Sequence, residues 1–168
     1  MRNAYLMMHR KRKDFQTITQ QIVSILRTEG MSVTTEPWLE TAMGDMLAFD
    51  HETAPDFVVA VGGDGTFLTA VQTSVALDIP ILGVNIGHIG FLIEINLDQL
   101  AAMCKRLKTG EYTVESRMML DVVRDGEIIR TALNDVVISR AGYARLITVK
   151  ASVEGDLVAR YMADGLII

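Results

Sequence analysis

The segment Phe57-Val58-Val59-Ala60-Val61 constrains this chain more than any other. It is a continuous apolar run, and Gly62-Gly63-Asp64-Gly65-Thr66 follows it at once. An unbroken run of this kind reads as a strand buried on both faces, as in a parallel sheet covered by helices. The glycine loop then opens a helical pattern through Phe67, Ala70, Val71 and Ser74. Strand, tight loop and helix in that order predict one βα unit of a doubly wound α/β layer.

The rest of the first half agrees. Residues 4–8 form a short apolar run. Phe15, Ile18, Ile22, Ile25 and Leu26 then recur at helical spacing, with Gly30 as the stop. Residues 80–84 read as another buried strand, followed by a second glycine loop over residues 85–90. Asn96 and Gln99 have capping-box spacing. Leu97, Leu100, Ala101, Cys104 and Leu107 lie on one helical stripe that Gly110 ends.

After Gly110 the pattern changes to β. Asp125-Gly126 between two apolar runs predicts a hairpin. Residues 132–139 read as a further strand. In residues 146–153, Ile147, Val149, Ala151 and Val153 alternate with Thr148, Lys150 and Ser152, which predicts a strand with one buried face. Glu154-Gly155-Asp156 turns into residues 157–162. The terminal Gly165-Leu166-Ile167-Ile168 reads as the start of a buried strand, which is expected to continue in a further segment. The expected organisation is an α/β nucleotide-binding layer over residues 1–110 and an incomplete antiparallel β domain over residues 111–168.

Composition narrows the function classes. Hydrophobic residues make up 49% of 168 and charged residues 22%, so the chain can bury a core and disorder is excluded. Lys plus Arg is 16 against 21 Asp plus Glu, a net charge of −5, which argues against nucleic acid as the partner. A mean hydropathy of +0.26 implies that much of the chain faces a core or a partner. The single cysteine, Cys104, excludes an internal disulfide and a multi-cysteine zinc site, and fits a reducing, cytoplasmic compartment. No signal-peptide pattern and no apolar stretch of the roughly 20 residues needed to cross a bilayer is present, so no membrane role is expected.

The glycine loops carry the chemistry. Glycines let the backbone approach a phosphate, and a helix N-terminus holds the anion. A carboxylate is costly beside phosphates, so Asp64 needs a reason. It could accept a proton from an attacking hydroxyl, help organise a magnesium ion, or simply cap the following helix. Neither the Walker pattern nor G-x-G-x-x-G is present. The two glycine loops would face one crevice beyond the strand ends. Phe91 could pack on a base; taken alone it reads as a core residue. His88 reads as a loop histidine. The run His9-Arg10-Lys11-Arg12-Lys13 reads as a solvated loop, with attraction of nucleotide phosphates as the sharper alternative. Cys104 and the 10 methionines read as core filling, and His51 beside Asp50 and Glu52 as an unlikely metal site.

Gly62-Gly63-Asp64-Gly65-Thr66, Asn85-Ile86-Gly87-His88-Ile89-Gly90-Phe91-Leu92, Asn134-Asp135 and Asp164-Gly165 occur in this order. That set resembles the NAD kinase family over the chain from about Ala4 to Ile168. The first motif is shared with lipid kinases and 6-phosphofructokinases; the second motif and the Asn-Asp pair are far more specific. The resemblance implies transfer of a phosphoryl group from ATP or polyphosphate to the 2′-hydroxyl of the adenosine ribose of NAD, with Mg2+ required. It implies Asp64 as general base, Gly65 beside it at NAD, and Gly62, Gly63, Gly65 and Thr66 as a phosphate loop. It further implies Phe91, Asn134, Asp135, Arg145 and Asp164 as NAD contacts, no protein-fixed metal, and a homodimer or homotetramer. The residue two before Asp164 is Met162, where many members carry a basic or polar one, and Arg160 is a substitute on the same side. The family continues beyond this Ile-Ile with a Ser/Thr-Pro-Thr-Gly-Ser-Thr-Ala-Tyr segment that completes the NAD site. The readings set against this one are a lipid kinase with the same first motif and a non-catalytic nucleotide-binding module.

Overall fold

A computed structural model describes residues 3–10, 12–47, 49–50, 52–87, 90–93, 95–140 and 146–168. His51, His88 and Arg145 lie outside the described residues. The chain divides into two units, Met1–Glu115 and Ser116–Ile168.

The first unit is an α/β layer. Its five strands are β1 (Asn3–Met8), β2 (Ser32–Thr35), β3 (Phe57–Gly62), β4 (Ile81–Asn85) and β5 (Ile95–Asn96). They pair in the order β2-β1-β3-β4-β5, all parallel. The connecting helices are α1 (Phe15–Thr28), α2 (Pro37–Met43), α3 (Asp64–Leu77) and α4 (Leu100–Thr109). All six residues of β3 are buried, as its unbroken apolar run requires. Strand alternation divides them between two clusters. Phe57, Val59 and Val61 join Leu6, Met8, Ile22, Leu26, Leu100 and Cys104. Val58 and Ala60 join Met7 and Ala70, with Phe67 packed against them. Each large side chain buried this way contributes about 1.5–3 kcal/mol. Doubly wound α/β architecture is therefore what the chain adopts.

Helix ends follow their local signals. Gly30 and Gly110 take φ of +77° and +79° just past α1 and α4, the left-handed conformation that suits glycine at a helix stop. The Asn96–Gln99 capping box forms, with Asn96 N–H donating to Gln99 Oε1 at 2.8 Å, and opens a 3-10 turn that leads into α4. Lys108 of α4 reaches Glu29 beyond α1 at 2.9 Å. Cys104 is fully buried, and burial pushes its thiol up to about 11. The core reading of this residue holds.

The regular elements of the second unit, among its described residues, are all strands: β6 (Leu120–Arg124), β7 (Glu127–Ala132), β8 (Val137–Ser139), β9 (Ile147–Val153), β10 (Asp156–Ala163) and β11 (Gly165–Ile167). They form three antiparallel pairs, β6-β7, β9-β10 and β8-β11. Asp125-Gly126 and Glu154-Gly155 both have positive φ at two successive residues, the two-residue turn that matches strand twist.

Three expectations are corrected here. Residues 132–139 are not one strand: β7 ends at Ala132 and β8 begins at Val137, because Asn134-Asp135 interrupts the apolar pattern and bends the chain. The alternating face of β9 is only half-buried at Ile147, Val149 and Ala151, and Val153 is exposed, since no helix covers it within this unit. Ile167 is exposed although it pairs in β11, and Ile168, just past the strand, is exposed as well. The methionines divide: Met7, Met8, Met31 and Met43 are core, whereas Met46, Met118 and Met162 are exposed.

Candidate functional site

In a parallel sheet of this order the strand direction of progress reverses between β1 and β3. The crevice beyond the carboxyl ends of those two strands is where open α/β sheets bind ligands. A groove of about 430 Å³ lies there, lined by His9, Arg12, Gly62, Gly63, Thr66, Ile86 and Gly87. Three strand ends supply it: β1 through His9 and Arg12, β3 through the first glycine loop, and β4 through Ile86 and Gly87. The two glycine loops do face one crevice. Gly62 and Asn85 are register partners, and Ile86 N–H donates to the Gly62 carbonyl at 3.4 Å.

The first loop turns directly into α3. Gly63 is the residue before the helix, and its carbonyl accepts from Thr66 at 2.9 Å and Phe67 at 3.1 Å. A methyl group at Gly62 would overlap the Thr66 side chain, so only glycine lets the strand pass so close to the helix start. Gly63 and Gly65 have open space where a side chain would stand, which leaves the first-turn amides accessible. The groove lining also includes the cationic Arg12, which is paired with Asp14, Nε to Oδ1 at 2.6 Å. Of the His9–Lys13 run, His9 and Arg12 line the groove.

Asp64 does not cap its own helix, because the residue before that helix is Gly63. Its carboxylate crosses to the second loop. Oδ2 accepts from Phe91 N–H at 2.9 Å and Oδ1 from Leu92 N–H at 3.2 Å. Asn85 steadies that loop from below: its Oδ1 accepts from Gly87 N–H at 3.0 Å and its Nδ2 donates to Asn96 at 3.3 Å. Ile93 is buried beyond it. Gly83 of β4 lies between the loops, and a Cβ there would stand 3.0 Å from Phe67 and 3.1 Å from Ile93. Phe91 is 99% exposed, which overturns its core reading. Its amide rather than its ring is what the unit uses.

The structure therefore brings Gly62, Gly63, Asp64, Gly65, Thr66 and Phe91 together in the first unit. The remaining candidates lie in the second. Asn134 and Asp135 are exposed in the bend between β7 and β8. Asp164 is exposed between β10 and β11, and its carbonyl accepts from Arg140 N–H at 3.3 Å. Val136 and Ile168 exchange backbone bonds at one end of the β8–β11 ladder, and Asp164 with Arg140 closes the other end. Asn134-Asp135 and Asp164 thus lie at opposite ends of that ladder. Met162 and Arg160 are both exposed on β10. Among the described residues, no three His, Cys, Asp or Glu side chains are grouped to hold a metal ion. None of the described helices is long and apolar enough to cross a membrane.

Comparison with known proteins gives the family and the fold. Residues 5–112 match the pattern described as the ATP-NAD kinase N-terminal domain. An NAD kinase of Lachnoclostridium phytofermentans is 36% identical over 176 aligned residues, which cover 100% of this chain and 61% of that protein. An NAD kinase of Geobacter sulfurreducens is 38% identical over 160, covering 91% of this chain and 56% of that protein. The chain thus spans about three fifths of the length of the relatives it matches. Among solved structures, yeast NADH kinase complexed with NADH superposes with a TM-score of 0.77 at 18% identity, over 99% of this chain and 57% of that one. An NAD kinase from Archaeoglobus fulgidus in complex with ATP gives 0.66 at 24% identity, over 99% and 59%. Those two likenesses concern the fold. By the matched pattern and the sequence relatives, the chain belongs to the NAD kinase family.

Proposed function

We propose that the native protein carrying this chain transfers the terminal phosphoryl group of ATP, or of polyphosphate, to the 2′-hydroxyl of the adenosine ribose of NAD. The observation that supports this most is Asp64 at the start of α3, beside a groove of glycine backbone at the β1/β3 crevice. The printed names of the relatives, NAD kinases, and the bound NADH and ATP of the two solved structures support the same substrates. A lipid acceptor has no comparable support.

The chemistry follows from the residues present. The ribose oxygen forms a bond to the terminal phosphorus as the bond from that phosphorus to the bridging oxygen breaks, leaving ADP when ATP is the donor. The hydroxyl proton passes to the Asp64 carboxylate. Phosphoryl transfer has a loose transition state, so alignment and charge neutralisation do most of the work. The glycine loop and the α3 N-terminus offer amide donors to phosphate oxygens, and the guanidinium of Arg12 and the imidazole of His9 line the same groove. Phe91, with its ring free, Asn134, Asp135, Arg145 and Asp164 are proposed NAD contacts. Both oxygens of Asp64 already accept amide bonds, and the described residues form no metal cage. Mg2+ therefore enters the proposal as an ion carried on the nucleotide phosphates. A cytoplasmic homodimer or homotetramer completes the reading, supported by the cysteine usage and the hydropathy.

The test is NADP formation by the native full-length protein. Asp64→Asn is expected to lower kcat by at least about 100-fold, the usual contribution of a positioned base, while NAD binding measured by calorimetry survives. Unchanged turnover overturns the role of Asp64. Turnover on a diacylglycerol or sphingoid base but not on NAD overturns the substrate.

A further inference from the structure

We propose that Gly90 is a positioning residue for Asp64, and that the second glycine loop serves to carry two backbone N–H groups to that carboxylate. The proposal rests on the reading of Asp64 as the proton acceptor. Consecutive amides, Phe91 and Leu92, donate to opposite oxygens of one carboxylate at 2.9 Å and 3.2 Å. An aspartate in the first turn of a helix otherwise has several staggered rotamers open to it. Two charge-assisted bonds, one to each oxygen, fix both its rotamer and the plane of its carboxylate.

This grip demands a bare backbone at the preceding position. A Cβ at Gly90 would overlap the Asp64 carboxylate itself. Glycine is needed there because the loop and the side chain occupy neighbouring space. The Phe91 ring does not hold the loop down, since it is exposed. Asn85 holds the loop's beginning through Gly87, and Asp64 holds Phe91 and Leu92 just before the buried Ile93. The base also remains usable. Each carboxylate oxygen has two lone pairs, so one amide bond per oxygen leaves acceptor capacity for a ribose hydroxyl.

The test uses the native full-length protein in a double-mutant cycle. Gly90→Ala is expected to lower kcat about 10- to 100-fold, the scale of a roughly 1 Å misplacement of a reacting group. KM for NAD and for ATP should stay within about twofold, since Gly90 itself offers no side chain to either substrate. In the Asp64→Asn background the same substitution should leave the residual rate within about twofold, because the group it positions is already gone. Equal losses in both backgrounds, or a Gly90→Ala enzyme with full turnover, overturn the proposal. Should Asp64→Asn itself keep full turnover, the base reading falls, and the positioning proposal with it. A second measurement does not depend on how Gly90→Ala folds. Amide hydrogen exchange at Phe91 and Leu92 should quicken at least about 10-fold in Asp64→Ala while β3 amides stay protected, as loss of a local bond requires. Unchanged exchange at both amides overturns the proposal.

Discussion

β3 and β9 are both rich in valine and β-branched side chains, yet they meet different fates. All six residues of β3 are buried, whereas β9 alternates between half-buried and exposed. Their units explain the contrast. Met1–Glu115 places helices against both faces of a five-stranded sheet. Ser116–Ile168 holds three two-stranded ladders and, among its described residues, no fully buried side chain. Apolar patterning states which face of a strand can be covered; actual burial needs a second layer in the same unit. A two-stranded ladder alone is marginally stable at best.

The contrast is open to direct attack. Ile22→Ala, at a fully buried position of α1, is expected to cost about 2–5 kcal/mol. Val149→Ala on the half-buried face of β9 should cost under about 1 kcal/mol. Urea unfolding reads the first through the fluorescence of Trp38, the only tryptophan and a residue of the first unit. Far-UV circular dichroism reads the second. Equal costs would break the comparison. A smaller effect concerns alkaline pH. The buried Cys104 thiol ionises near its ordinary 9.0 when unfolded but only at about 11 when folded. Its contribution is therefore complete below pH 9 and lost as pH rises toward 11, on the order of 2 kcal/mol. Cys104→Ala should flatten that alkaline slope in the Trp38 transition. No other cysteine exists to give the second unit such a slope. The smallest effect is Lys108→Ala, because its pair with Glu29 lies at the surface of the first unit. Lys108 holds the Glu29 carboxyl below its usual range, so the pair's contribution is present above that range and fades as the solution is acidified through it. A Tm scan at neutral pH should show a barely measurable drop; a loss rivalling Ile22→Ala would mean that surface charge, not burial, governs this unit.

Legibility in the sequence followed the range of the interactions. The run over residues 57–66, the Asn96–Gln99 box and the Asp125-Gly126 turn are local signals, and each appears in the structure where the residues place it. The partners of Asp64 were not legible, because they come from a loop 27 residues away and depend on β3 and β4 being neighbours. His9 and Arg12 look like ordinary loop charges until the β1/β3 crevice gives them a place. Phe91 misleads for a different reason: its residue type suggests a core, but the loop engages its backbone. Asn134-Asp135 reads as strand when only the flanking apolar residues are weighed, yet the pair itself bends the chain.

Gly83 has a mechanical consequence. Its missing side chain lets Phe67, one turn into α3, and Ile93, at the far end of the second loop, close over the same point of β4. The helix that carries the carboxylate and the loop that grips it therefore share one bearing surface on the sheet. A methyl group there would press on both at once, and each would have to give by a few tenths of an ångström. Accuracy at the groove is set in part by a side chain that the strand beneath it does not have.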